Sequence, residues 1–304
     1  MADLHGVTGP FSYTGSYIAR RLESKGIPTR GFLRDLTTRP ASTAVDCRSL
    51  QFQDHNQLTR DLEGVDVLYN TYWIRFERGA STFAGAVRNT QVLAEAARAA
   101  GVRRIVHISV SNPCADSPFA YFRGKAVAEV AIRSAGIPCS VLRPTLVFGR
   151  EDVLINNMAW LMRKMPLFPI FGDGLFRVQP VFVDDVAALA VAEGVQSGDR
   201  TLDAAGPVVQ SFADFLRFLR ASIGSHAPLL RLPPRLALAM SWPVSVLLRD
   251  VLITREEMGA LMADLLVSRT GPTTTTSLEA WLEADKPDLG GRYTSELRRH
   301  WSYR

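Results

Sequence analysis

Residues 5–22, HGVTGPFSYTGSYIARRL, constrain the fold of this chain more than any other stretch. A short apolar start runs into Gly9, Ser12 and Gly15, then into a helical pattern of Ile18, Ala19 and Leu22 that stops before Gly26. The spacing predicts a strand, a tight turn and a helix whose first turn, with Tyr13 and Thr14, offers backbone N–H groups to a pyrophosphate. In a G-x-x-G-x-x-G loop the middle glycine lets the backbone approach the phosphates. Ser12 stands at that position here, and Pro10, which lacks an N–H, lies just ahead of it. Such a glycine pattern is weak evidence alone, so its meaning rests on the rest of the chain.

Downstream of this loop, strands and helices alternate. Residues 28–33 read as a second strand leading to Arg34 and Asp35, and 65–70 (VDVLYN) as another, after a helix around 58–62 that Gly64 closes. Residues 80–100 carry Phe83, Val87, Val92, Leu93, Ala96 and Ala97 at near-helical spacing, with Gly101 as the stop. Residues 104–109 (RIVHIS) form a strand, 119–134 a helix, and 139–143 (CSVLR) the next strand, ended by Pro144. This rhythm predicts an α/β fold, a Rossmann-like doubly wound parallel sheet with helices on both faces.

Beyond Gly149 the rhythm loosens. Residues 152–165 look helical, 178–183 extended, Asp184 caps a helix over 186–195, and Ser211 caps another over 212–222. The expected organisation is a dinucleotide-binding core over 1–150 and a smaller, mostly helical substrate-binding part over 151–304, with 178–206 returning to the sheet. The apolar stretch 236–253 is interrupted by Pro243 and charged by Arg249 and Asp250, which leaves less than the roughly 20 residues a membrane span needs. It reads as a helix packed on the domain, or as one face of a homodimer contact. A helix over 255–267 follows, then the loop TGPTTTTS, and a capping box of Thr276 with Glu279 leads into a helix at Trp281.

Composition excludes several function classes. The 304 residues are 47% hydrophobic and 21% charged, values of an ordinary globular protein. The net charge of +5 is scattered with no Lys/Arg block, so nucleic-acid binding is not indicated. Cys47, Cys114 and Cys139 are too few and too irregular for a disulfide or zinc framework, and the five histidines lack metal-ligand spacing. No metal is therefore expected, and His107, inside an apolar strand, reads as a satisfied core residue. The start MADLHGVTG has no charged segment followed by an apolar run, which points to a cytoplasmic protein.

The second informative stretch is 107–129, HISVSNPCADSPFAYFRGKAVAE. Tyr121 and Lys125 stand four apart and share one face of a helix. A phenol ordinarily titrates near 10, and an adjacent ammonium favours its phenolate. Tyr121 can then pass a proton to or from an alcohol or carbonyl oxygen while a hydride moves at carbon, and Lys125 can hold a nicotinamide ribose. Ser109 and Ser111 lie at and just past the end of the preceding strand, where open α/β sheets place ligands. Either can donate a hydrogen bond to the substrate oxygen. Asn70 and Thr71 end the strand expected under the cofactor, and Tyr72 and Trp73 next to them are candidates to line a substrate pocket.

The segments VTGPFSYTG (7–15), YFRGKAVAE (121–129), LRPTLVFGRED (142–152) and QPVFVDDVA (179–187), in this order, carry a resemblance. The chain resembles an atypical or extended short-chain dehydrogenase/reductase. It is most similar to the branch holding the NADPH-binding subunit of respiratory complex I and bacterial epimerase/dehydratase-like relatives. The resemblance implies a Rossmann fold with a smaller C-terminal part that closes over a small-molecule substrate. Gly9, Ser12 and Gly15 match the phosphate loop, and the Cβ of Ser12 implies weakened or reshaped binding. Arg34 matches the arginine that selects the 2′-phosphate of NADP(H), with Asp35 beside it leaving NAD(H) as an alternative. Tyr121, Lys125 and Ser111 match the catalytic trio, although only ten residues separate Ser111 from Tyr121. Pro144 and Thr145 follow the strand that borders the nicotinamide. The expected function is an NADP(H)-dependent oxidoreductase acting on a carbonyl or alcohol. The alternative is a non-catalytic NADPH-binding interaction module, since the branch includes a subunit whose nucleotide serves structure. Epimerase or dehydratase chemistry with retained NAD is opposed by Arg34, and by Val110 and Asn112, which flank Ser111 without supplying the acid/base groups dehydratases add.

Overall fold

A computed structural model describes residues 3–41, 43, 45–285 and 288–297, the side chain of Asp285 excepted. The chain opens with β1 (Leu4–Thr8), α1 (Tyr13–Ser24), β2 (Thr29–Leu33), β3 (Asp46–Ser49), α2 (His55–Leu62) and β4 (Val65–Asn70). It continues with α3 (Phe83–Ala99), β5 (Arg104–Ile108), α4 (Ala120–Ser134) and β6 (Cys139–Pro144). Then come β7 (Leu146–Phe148), α5 (Val153–Lys164), β8 (Phe168–Phe171), β9 (Arg177–Val178), β10 (Pro180–Phe182), α6 (Val183–Glu193) and β11 (Arg200–Ala204). The last elements are β12 (Gln210–Ser211), α7 (Phe212–Ser222), β13 (Leu229–Leu232), α8 (Pro234–Leu248), α9 (Arg255–Met262) and α10 (Leu278–Asp285). Two compact units result, one of residues 1–144 and 183–204, the other of 145–182 and 205–304.

The first unit is a seven-stranded sheet in the order β3-β2-β1-β4-β5-β6-β11, parallel throughout. Its central strands are buried on both faces, so they read as continuous apolar runs rather than alternations. Leu58, Leu62, Leu93 and Ala97 cover one face with Phe32, Leu68 and Ile105. Ile18, Leu22, Ala187 and Ala190 cover the other with Val7, Val106 and Leu142. The strand order reverses between β1 and β4, which opens a crevice at their carboxyl ends. The Rossmann-like doubly wound architecture expected from the alternation is what forms.

Several local expectations are corrected. β3, with the sequence DCRS, goes unread because an edge strand with exposed alternate residues carries no apolar run. Asp184 does not cap α6. The helix begins at Val183, directly after β10, and the Asp184 carboxylate receives Arg21 Nε and Nη2 at 2.7 Å each, tying α6 to α1. The first compact unit leaves the sheet at Pro144, the last residue of β6 paired with β11.

In the second unit three two-stranded pairs, β7 with β10, β9 with β12 and β8 with β13, border a core of α5 and α7 with Phe171, Phe176 and Phe212. Ser211 caps α7 as expected, its hydroxyl accepting from Asp214 N–H at 3.1 Å. α9 ends at Met262, short of 267, before Asp264 in a left-handed conformation (φ 55°). α10 starts at Leu278, with the Ser277 hydroxyl accepting from Ala280 N–H at 3.0 Å, one residue past the expected cap at Thr276. α8 starts on Pro234, contains Pro243 and stops at left-handed Arg249 (φ 51°). The expected packed helix packs little: only Ala237 of α8 is buried. No helix among the described residues is long and apolar enough to cross a membrane.

Candidate active site

The loop after β1 is tight. Gly9 adopts φ 63°, and its N–H donates to Phe32 O on β2 at 2.8 Å. A Cβ on Gly15 would stand 2.1 Å from the Gly9 carbonyl oxygen, so α1 can approach the loop this closely only with glycine there. Ser12 has an extended backbone (φ −78°, ψ 170°) that any residue adopts. Its hydroxyl donates to Gly9 O at 2.7 Å and does not cap α1. Ser12 thus closes the loop on itself and leaves the N–H groups at the start of α1, with Tyr13 and Thr14, without a cap from its own side chain. Pro10 is buried where a Cβ of Gly31 would otherwise lie, 2.6 Å from Pro10 Cγ.

Thr8, which no sequence pattern singles out, joins the two strands that flank the crevice. Its hydroxyl accepts from Thr71 N–H (2.7 Å) and Tyr72 N–H (3.1 Å) and faces Asn70 Oδ1 at 3.3 Å, while Thr71 Oγ1 donates to Thr8 O. Asn70 is fully buried. Its Oδ1 accepts from Tyr72 N–H at 3.0 Å, which orients the amide so that Nδ2 donates to His107 Nδ1 at 3.1 Å. The side chains of Asn70 and Thr71 are therefore part of the scaffold under the crevice. Burial, with Lys125 and Arg133 nearby, holds His107 well below its ordinary pKa, so it is neutral. With Nδ1 accepting, its proton sits on Nε2, which has no partner among the described residues. The expected satisfied core histidine is satisfied on one side only.

The first two turns of α4 present Tyr121 and Lys125. Tyr121 meets the rings of Trp73 (6.2 Å between centroids), Phe83 (5.9 Å) and Phe122 (5.5 Å) edge-on. Trp73 lies over Gly124, where a Cβ would be 3.1 Å from Trp73 Cζ2. That contact brings the indole to Lys125, whose Nζ is 4.6 Å from the ring centroid and donates to Ile108 O at 2.9 Å. Lys125 is 3% exposed, and burial pushes its pKa down to about 7, against an upward pull from Glu129. Glu129, also buried, binds Arg143 Nη2 at 2.6 Å and accepts from Ser109 Oγ at 2.5 Å. The Ser109 hydroxyl is thus directed to Glu129. Ser111, fully buried, donates its N–H to Pro144 O at 2.9 Å, which joins the ends of β5 and β6, and the next residue, Asn112, is left-handed (φ 51°).

At the far side of the crevice, Arg34 is exposed at the end of β2 and borders a cavity of about 370 Å³ lined also by Gln51, Phe52, Gln53, Tyr72 and Asn89. Phe52 and Tyr72 stand 4.7 Å apart there, and Asn89 Nδ2 donates to Tyr72 Oη at 2.8 Å. Asp35 faces elsewhere. Its carboxylate caps the 3-10 turn Leu36–Thr38, accepting from Thr37 N–H (2.9 Å) and Oγ1 (2.7 Å), bonds that hold its pKa down. The first unit thus brings to its carboxyl edge Gly9, Ser12, Tyr13, Thr14, Gly15, Arg34, Asn70, Thr71, Ser109, Ser111, Tyr121, Lys125 and Pro144. Thr145, buried, opens the second unit. Glu129, Arg143 and the cavity residues Phe52 and Gln53 are not legible in the sequence; only the spacing of Glu129, four after Lys125, hints at the first.

A parallel sheet in this order, with a glycine loop at its switch point, defines a Rossmann-like fold. Residues 12–152, a little under half of the chain, match the family described as NAD(P)H-binding. Among curated relatives it is 26% identical over 288 residues to NADH dehydrogenase [ubiquinone] 1 alpha subcomplex subunit 9, mitochondrial, of Arabidopsis thaliana, covering 88% of this chain and 71% of that protein. It is 28% identical over 271 residues to UDP-glucose 4-epimerase of Mycolicibacterium smegmatis, covering 76% and 86%. The chain spans between 55% and 71% of the length of the NADH dehydrogenase subunits it matches. Among solved structures, the triphenylmethane reductase of Citrobacter sp. complexed with NADP(H) superposes with a TM-score of 0.67 at 18% identity, covering 96% of each chain, a likeness of fold.

Proposed function

We propose that the protein is an NADP(H)-dependent oxidoreductase of the short-chain dehydrogenase/reductase kind, acting on a carbonyl compound or the corresponding alcohol. The observation that carries this reading is Tyr121 above a buried Lys125 on the first turns of α4, at the carboxyl edge of the sheet. The nicotinamide, when bound, supplies or takes up the hydride. Tyr121 exchanges a proton with the substrate oxygen, and Ser111 orients that oxygen, since the Ser109 hydroxyl is held by Glu129. Lys125 holds the ribose and, when charged, favours the phenolate of Tyr121. Exposed Arg34, with Asp35 turned into its own loop, favours the 2′-phosphate of NADP(H) over the 2′-hydroxyl of NAD(H).

A second reading, a non-catalytic NADPH-binding module, is favoured by one observation. The Lys125 ammonium is already engaged by Ile108 O and covered by the Trp73 indole, as in a site built to be filled and kept. Calorimetry with NADPH and NADH, followed by turnover with a panel of small ketones and aldehydes, tests both. The oxidoreductase reading expects tighter NADPH than NADH binding, loss of that preference in Arg34→Ala, and turnover abolished in Tyr121→Phe with NADPH binding kept. Tight NADPH binding with no turnover selects the module, and no heat with either nucleotide overturns both.

A further inference from the structure

Helix α8 has an unusual balance of contacts. It is apolar over most of its length, yet Ala237 is its only buried residue. Leu236 (47% exposed), Met240 (39%), Trp242 (70%), Val246 (57%) and Leu247 (83%) stand in solvent. Positions 236, 240 and 247 form one stripe and 242 and 246 a second, so the exposed apolar side chains span about 17 Å of helix. An exposed patch of this size and continuity marks a surface that is covered in use.

The charges around the patch narrow what covers it. Between residues 231 and 255 stand four exposed arginines: Arg231 and Arg235 flank the start of α8, Arg249 ends it, and Arg255 opens α9 beside Glu256 and Glu257. The only acidic residue in that interval, Asp250, is buried and occupied by the Tyr293 hydroxyl and the N–H groups of Glu296 and Leu297. A second copy of this chain, packed antiparallel along α8 about a two-fold axis, would set Arg231 and Arg235 against Arg249 at both ends. An anionic surface matches both ends at once. The helix is also too short to span a bilayer, and an apolar face carrying a tryptophan between cationic ends is the pattern of a helix lying in the headgroup layer.

We propose that α8 is a membrane-surface docking element, seated on a bilayer that carries anionic headgroups, with Trp242, Val246 and Leu247 entering the acyl boundary and the arginines at its ends binding the headgroup phosphates. This inference is independent of catalysis in the first unit.

Flotation of the intact protein with equimolar phosphatidylglycerol/phosphatidylcholine vesicles, and with pure phosphatidylcholine vesicles, tests it. Binding to the first and not the second is expected, weakened by added salt, with a blue shift of tryptophan emission that is absent in Trp242→Phe. Val246→Glu/Leu247→Glu changes two exposed side chains and keeps the wild-type melting transition. It should lower partitioning by about tenfold or more. No association with the anionic vesicles, or association unchanged in the double variant, overturns the proposal. So does a wild-type dimer at micromolar concentration that the double variant dissociates without any vesicle binding, which would make the face a self-contact.

Discussion

Lys125 carries an ammonium into a site with 3% of its surface exposed, and its pKa falls from 10.5 to about 7. Proton counting sets the direction of its effect on stability. Between about pH 7 and 10.5 the unfolded chain binds this proton and the native chain does not, so this lysine makes stability rise with pH across that window. Below about 7 both states hold the proton and the cost is constant. The slope has an upper limit of about 1.4 kcal/mol per pH unit. Urea unfolding of wild type and Lys125→Met at pH 7 and pH 9 checks this. The wild type should gain stability relative to the variant at the higher pH, and parallel behaviour would rule the depressed value out. Other residues show how local patterns mislead. Ser109 and Ser111 look equivalent in the sequence, and only buried Glu129, twenty residues on and bound to half-buried Arg143, separates them. Arg34 and Asp35 likewise look alike as neighbours in the sequence, and nothing local announces that Asp35 caps the turn that follows it.

The returning elements α6 and β11 are fastened by a buried polar cluster. Arg104 on β5 donates from Nε to Glu193 O at 2.6 Å, from Nη1 to Gly198 O at 3.0 Å and from Nη2 to Ser140 Oγ, while Ser140 donates to Glu193 Oε2 at 2.6 Å. Replacing Arg104 by Met leaves a buried carboxylate with Arg200 as its remaining cation, at 3.3 Å. A loss of about 3–5 kcal/mol is expected, read from the urea midpoint with unchanged slope. A loss under 1 kcal/mol would show the cluster to be incidental. At this scale the sheet was largely legible: β2, β4, β5 and β6 are apolar runs between glycine and proline punctuation. β3 was not, because an edge strand needs no apolar run. Trp73 over Lys125 was not either, since it depends on the missing Cβ of Gly124, fifty-one residues away in sequence, and no local period records that contact.

For the whole molecule, the decisive fact is that the chain leaves the first unit at Pro144 and comes back at Val183. A fragment of residues 1–150 therefore lacks α6, which contributes Ala187, Ala190 and Val191 to one face of the sheet, and β11, which pairs with β6. Such a fragment should show no cooperative thermal transition and should bind a hydrophobic dye, whereas the full chain melts sharply. A sharp, reversible transition in the fragment would contradict this reading. The same excursion sets an order of events on the ribosome. β6 emerges while residues 145–199 are still to come, so its outer row of N–H and C=O groups waits for a neighbour that synthesis delivers late. During that interval the nascent sheet has an open rim facing every other nascent chain nearby. The rim closes only once residues 200–204 have emerged and paired with β6.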